Sequence, residues 1–143
     1  MANNRELTGK GFLAVTDREL LTLAMDASEK AYAPYSRFKV GAALECLSGR
    51  IFTGCNVENA ALGSTMCAER VAIYKAVSEG EKEFSRIAVY GESDDYCMPC
   101  GSCRQVLSEF SKDMEVLCAR RTGGYVSYKL NELLPHTFKF GDF

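Results

Sequence analysis

A chain of 143 residues with 47% hydrophobic and 25% charged residues has material for one compact core and little room for a second. Its formal net charge of −2, with no basic stripe, excludes a protein built to hold long DNA or RNA, and no apolar run approaches the ~20 residues that span a bilayer. The polar opening, Met1 to Lys10, lacks the apolar stretch of a secretory signal, so a cytoplasmic setting is expected. Seven cysteines, an odd number, then point to metal binding or chemistry rather than a disulfide framework.

Residues 1–15 read as a lead-in. Thr16-Asp17-Arg18-Glu19 has the pattern of a capping box, followed by Leu20, Ala24, Ala27 and Ala31 at helical spacing, with Pro34 as the expected stop. Phe38, Val40, Ala42, Leu44 and Cys46 alternate as a strand does, Ser48-Gly49-Arg50 is a tight turn, and Ile51 to Val57 returns as the second arm of a hairpin. A helix is expected from near Met66 to Ser78, with Gly80 as its stop, then a short strand at Ile87 to Tyr90. Pro99 is expected to open a third helix carrying Val106, Leu107 and Phe110. Val116 to Ala119 and Tyr125 to Leu130 are strands about a Gly123-Gly124 turn, Arg120–Arg121 is a solvated strand end, and Asn131 to Leu134 is a helical turn stopped by Pro135. The order α-β-β-α-β-α-β-β predicts an α/β fold over 1–143 as one domain. It is a three-layer sandwich, a mixed five-stranded sheet with helices on both faces.

Cys100 and Cys103 lie three apart on the expected third helix, so their thiols share a face, and Cys67 opens the second helix. Helix N-termini favour anions and lower thiol pKa, so all three sulfurs are placed to be thiolates. Three protein ligands and an open position are the pattern of a catalytic zinc, which makes its water a nucleophile near neutral pH. Glu69, two residues after Cys67, can reach over the open face and carry protons. A second reading counts Cys97 as a fourth sulfur and makes a closed structural zinc or iron–sulfur site, which would leave Glu69 without a task. Cys46, Cys55 and Cys118 fall in strand patterns as small core residues, and His136 reads as a surface or packing residue.

The Cys67-Ala68-Glu69 and Pro99-Cys100-Gly101-Ser102-Cys103 stretches match the Cys form of the zinc deaminase signature. Together with Ser36 to Leu44, Gly54 to Ala60, Met66 to Arg70, Pro99 to Gln105 and Glu132 to Pro135, the chain resembles the small homotetrameric cytidine deaminases from about Tyr35 to Phe138. The resemblance implies one Zn²⁺ per chain on Cys67, Cys100 and Cys103, with Glu69 as proton shuttle and Arg70 donating to the ligand sulfurs. It implies substrate contacts from Phe38 on the pyrimidine, Asn56 and Glu58 on the ribose, and Ala68, with Phe138 completing a neighbouring subunit's site. The implied partner is a nucleoside, cytidine or deoxycytidine, hydrolysed to the uridine counterpart and ammonia, with no polynucleotide or membrane. Leu62 departs from the pattern, standing where the family often has an aromatic. Phe38 could also be plain core, Asn56 a strand-end turn residue, and Arg104 either a second compensating cation or a surface ion pair. The competing functions are a blasticidin-type nucleoside antibiotic deaminase, which shares the zinc motifs, and a non-catalytic zinc-stapled binding module.

Overall fold

The computed structural model describes residues 6–7 and 13–141. Most of the lead-in expected over 1–15 lies outside the described residues; within it, Glu6–Leu7 (β1) pairs antiparallel with Leu13–Ala14 (β2). Helix α1, Asp17–Ser28, starts at the expected capping box: Thr16 Oγ1 accepts from Glu19 N at 3.1 Å, and Glu19 Oε1 accepts from Thr16 N at 3.5 Å. It ends well before Pro34, because the backbone turns at Glu29–Ala31 and Tyr32 then forms a parallel bridge with Val57.

The main sheet has five strands: β3 Val40–Cys46, β4 Ile51–Cys55, β5 Phe84–Gly91, β6 Glu115–Arg120 and β7 Tyr125–Lys129. Their order is β4-β3-β5-β6-β7, and only β5 and β6 are parallel neighbours. That pair is joined through helix α3, Gly101–Phe110, as a parallel crossover requires. Gly49, Gly123 and Gly124 take positive φ in the two hairpin turns, where a side chain would be strained. Helix α2, Ala68–Ser78, is followed by Gly80, also at positive φ, and Leu130–Leu133 forms the short α4.

The strand period sorts the core into two layers. Ala42, Leu44 and Cys46 pack with Ala68, Ala72, Ile73 and Leu107, the face under α2 and α3, whereas Ala43 and Ala88 pack with Leu20 and Ala24 of α1. This is the expected three-layer arrangement. Two glycines set how tightly it closes. A Cβ on Gly41 would come within 1.9 Å of the Ala24 carbonyl oxygen, so α1 lies directly on β3. A Cβ on Gly54 would come within 2.5 Å of the Ala68 carbonyl, so β4 holds the N-terminus of α2 against the sheet.

One polar cluster under α1 has no counterpart in the sequence reading. Arg86, largely buried, forks onto Glu45 (Nε to Oε1 2.9 Å, Nη2 to Oε2 2.7 Å), and its Nη1 donates to Asp17 Oδ1 at 2.6 Å. Bidentate geometry makes this pairing stronger than an exposed ion pair, and it ties the start of α1 to β3 and β5.

Candidate active site

Two helix N-termini meet at one end of the sheet. Val57 and Met66 exchange backbone hydrogen bonds of 2.9 Å in both directions, which keeps Met66 out of α2 and leaves Cys67 as its extended N-cap residue (φ −74°, ψ 153°). Cys100 has the same place on α3 (φ −68°, ψ 169°), and Cys103 follows in the first turn. Pro99 therefore precedes the cap instead of occupying the first helical position, and the helix begins at Gly101.

The three sulfurs form a compact triangle, with Cys67 to Cys100 at 3.7 Å, Cys100 to Cys103 at 3.5 Å and all ligand atoms within 4.8 Å of one another. Thiolates ~2.3 Å from one tetrahedral zinc stand about 3.8 Å apart, close to the two separations of 3.7 and 3.5 Å, so this donor set fits the metal. Cys97 is outside the cluster. It sits in the loop before Pro99, donates its backbone N–H to Ala119 O at 3.1 Å, and burial pushes its thiol up to about 12. Burial likewise lifts Cys118 to about 12 and Cys46 to about 11, as fits packing residues.

Charge within the triangle is uneven. The neighbouring Cys103 thiol leads in drawing the Cys67 thiol down to about 5 against the opposing effect of burial, with Arg70 and Cys100 adding to the fall. Cys103, buried beside the Cys67 sulfur, holds its proton well above the ordinary thiol range. Arg70 Nη2 donates to Cys67 Sγ at 3.2 Å, and this contact is what chiefly raises the guanidinium's own pKa. Arg70 Nε is buried with no hydrogen-bond partner among the described residues, so the Nη2 end carries the contact. Arg104 does something different: its Nε donates to Pro99 O and its Nη1 to Leu133 O, both at 2.8 Å. It clamps the loop before α3 to the end of α4 and makes no ion pair among the described residues.

Glu69, in the first turn of α2, is 4% exposed, and burial leads in raising its carboxyl above the usual carboxylate range, with the Cys67 thiolate adding to the rise. It lines a cavity of about 300 Å³ together with Phe38, Asn56, Glu58, Cys67, Ala68 and Cys100. That size is at the small end for small-molecule sites. Phe38 is half-buried against the core and also lines the cavity. Gly91 makes the space beneath it, since a Cβ there would lie 2.8 Å from both Phe38 Cζ and Cys97 Cβ.

The two expected sugar contacts are already engaged with the protein. Asn56, 8% exposed, donates Nδ2 to Phe38 O at 2.8 Å and accepts at Oδ1 from Val40 N at 2.9 Å, leaving one Nδ2 proton. Glu58 Oε1 accepts from Tyr35 N and Ser36 N, each at 3.0 Å, and Oε2 accepts from the Ser36 hydroxyl. The Ser36 hydroxyl bond leads in holding the Glu58 carboxyl below its ordinary range. Ser36, Val40, Thr65, Cys97 and Met98 also line the cavity and were not picked out from sequence as contacts. Ser36 and Val40 fall inside a family-like stretch, which was the available signal. Phe138 is 71% exposed and is not among the residues lining its own chain's cavity. His136 is exposed, at φ 54°, as a surface residue would be.

A buried carboxyl beside a three-sulfur metal cluster, both carried on helix N-termini at one end of a mixed sheet, defines a zinc-dependent hydrolytic deaminase. A family model described as the cytidine and deoxycytidylate deaminase zinc-binding region matches residues 14–119. A cytidine deaminase of Sporosarcina psychrophila is 42% identical over 125 residues, 87% of this chain and 92% of that one. One of Halalkalibacterium halodurans is 44% identical over 128 residues, 88% of this chain and 97% of the relative. The crystal structure of cytidine deaminase from Burkholderia pseudomallei superposes with a TM-score of 0.84 at 46% identity, covering 87% of this chain and 100% of that one. The chain belongs to the cytidine deaminase family, and its cofactor is Zn²⁺.

Proposed function

We propose that this protein hydrolyses cytidine and deoxycytidine at C4, giving uridine or deoxyuridine and ammonia as a step of pyrimidine salvage. The observation that carries this reading is Glu69: an almost fully buried carboxyl, raised in pKa, on the wall of a nucleoside-sized cavity whose rim also holds sulfurs spaced for zinc. A carboxyl raised above its ordinary range gives up and takes back a proton more evenly than a solvated one does. Cys67, Cys100 and Cys103 would hold one Zn²⁺ per chain, which when bound supplies Lewis acidity and a water acidic enough to act as nucleophile.

The chain's own residues do the rest. Glu69 takes the proton of the attacking water, delivers it to ring N3, and carries a proton to the departing amine. Phe38 gives the pyrimidine an apolar face, the small Ala68 leaves room at the helix start, and Glu58 with Asn56 receives the ribose hydroxyls. Arg70 stabilises the ligand thiolates.

We read residues 1–143 as one domain that works as a homotetramer in the cytoplasm. Among the described residues no helix is long and apolar enough to cross a membrane. Leu62, Phe138 and Phe140 are 75%, 71% and 85% exposed, apolar surface that a neighbouring subunit would cover. Phe138 would then complete the site of a neighbour. Ammonia release from cytidine by zinc-loaded protein, abolished by chelation and restored by zinc, is the expected result. Zinc-loaded protein that releases none would overturn this reading and leave a blasticidin-type nucleoside antibiotic deaminase or a zinc-stapled binding module.

A further inference from the structure

The Glu58 carboxylate and the loop before β3 are folded around each other. A carboxylate offers about four acceptor positions. Oε1 spends both of its positions on Tyr35 N and Ser36 N, and Oε2 spends one on the Ser36 hydroxyl. The same hydroxyl oxygen accepts from Phe38 N at 3.0 Å. Between them Arg37 sits at φ 58°, a left-handed conformation that a residue with a side chain adopts only when its surroundings enforce it. The enforcement comes from both flanks: Glu58 grips 35–36, while Asn56 Nδ2 holds Phe38 O and its Oδ1 holds Val40 N. Sugar anchor and ring platform are therefore one hydrogen-bonded piece with Ser36 as its pivot.

We infer that Ser36 is a positioning residue that sets the substrate's sugar requirement: its hydroxyl orients Glu58, leaves that carboxylate one open acceptor for a single ribose hydroxyl, and fixes Phe38 at a set distance from it. The inference rests on Glu58 being the sugar anchor proposed above. It makes no demand on the metal cluster, which Ser36 does not touch. Without the hydroxyl, Glu58 would have two open acceptor positions filled by water, Phe38 N would lose its partner, and the strained turn at Arg37 would be free to relax. The ligand chemistry selected is a pyrimidine nucleoside with a free 3′-hydroxyl.

The test compares zinc-loaded parent, Ser36→Ala and Ser36→Thr on cytidine and 3′-deoxycytidine. Ser36→Ala should raise KM for cytidine about tenfold with kcat within about twofold, and should shrink the discrimination against 3′-deoxycytidine by about tenfold, the scale of one hydrogen bond to a charged group. Ser36→Thr, which keeps the hydroxyl, should restore both. A parent-like KM and discrimination in Ser36→Ala would overturn the inference. So would an equal fall in kcat on both substrates with KM unchanged, the mark of a merely structural role, or a Thr variant no better than Ala. Should the Ala variant not fold, Ser36→Cys, of similar size but a weaker donor, should show the same KM shift at smaller amplitude, and a parent-like Cys variant would count against Ser36. A parent that deaminates both substrates alike would instead sink Glu58 as the anchor, which separates that failure from this one.

Discussion

Arg70 Nη2 reaches Cys67 Sγ at 3.2 Å, while Arg104, beside Cys103 in sequence, spends its guanidinium on the carbonyls of Pro99 and Leu133. Charge compensation of the sulfur cluster therefore falls to Arg70 and the two helix N-termini. Three thiolates on a divalent cation carry net negative charge, which opposes ionisation of a bound water. Arg70→Ala removes an opposing positive charge, so the acidic limb of the pH–rate profile should move to higher pH by about one unit. In metal-free protein the same change should raise the Cys67 titration above about 5, read by ultraviolet thiolate absorbance. An unmoved profile and an unmoved titration would assign the compensation to the helix termini alone.

Zinc affinity should depend on pH with a definite sign. In zinc-stripped protein Cys67, drawn down to about 5, should already be ionised near neutral pH, whereas Cys103 is pushed above the ordinary thiol range. Binding must expel that proton, so affinity rises with pH and falls about tenfold per unit of acidification for each proton released. Chelator competition between about pH 6 and pH 8 should show a slope of at least one, and a flat profile would contradict a Cys103 thiol that holds its proton.

Four sulfurs fall within reach in sequence, yet only three share the cluster. Cys97→Ser should retain zinc near one per chain and most of the activity, because the half-buried Cys97 thiol lies against Gly91 and outside the sulfur cluster. Cys103→Ser, by contrast, should lose the metal. Metal analysis of the two variants decides it, and zinc loss in Cys97→Ser would revive the four-sulfur structural site.

What the sequence made legible was local. The capping box of α1, the alternation along β3 and the glycine turns are written within a few residues of where they act, and so are the spacings that gather Cys67, Cys100, Cys103 and Glu69. What it hid depends on partners far along the chain. The end of α1 is decided by the bridge of Tyr32 to Val57, not by Pro34. Arg86 meets Glu45 and Asp17 from 41 and 69 residues away. The start of α2 is decided by the Val57–Met66 pairing, and Arg104 reads from sequence as a candidate for the thiolates until its carbonyl partners are seen. Asn56 and Glu58 were expected as sugar contacts, and their parallel work of bracing residues 35–40 is visible only in the folded loop.

Gly54 should prove to be a site residue that touches no substrate. A Cβ there would sit 2.5 Å from Ala68 O and 2.7 Å from Ala72 N, backbone atoms that cannot move aside alone. Gly54→Ala should therefore push β4 and α2 apart, costing about 1–3 kcal/mol, several degrees in Tm. Because α2 carries Cys67 and Glu69, turnover should fall further than the folded fraction does. Gly63→Ala, with nothing within 4 Å of the added Cβ, is the control and should melt with the parent. Equal melting of both variants would mean that the strand and helix accommodate the methyl.

Glu69→Gln gives the sharpest separation of chemistry from architecture. The change keeps volume and polarity in a position that is 4% exposed, so the helix start and the cavity should survive. It removes the carboxyl that burial and the Cys67 thiolate have raised above the usual carboxylate range. General acid–base assistance is typically about 10²–10⁴-fold, and one carboxyl serving successive transfers should account for at least that much. Turnover should fall accordingly while zinc stays near parent content, since the three sulfurs are intact. Cytidine should still bind, because Phe38, Asn56 and Glu58 are untouched, and calorimetry on the inactive variant would then read ground-state affinity directly. A variant that lost its zinc would make Glu69 a support of the metal. One that kept zinc and near-parent turnover would take Glu69 out of the proton transfers, and the cavity would need another acid within hydrogen-bond reach of N3. Among the described residues the only other carboxylate lining it is Glu58, which is bonded to the backbone of residues 35 and 36 and lowered in pKa, the wrong direction for that work.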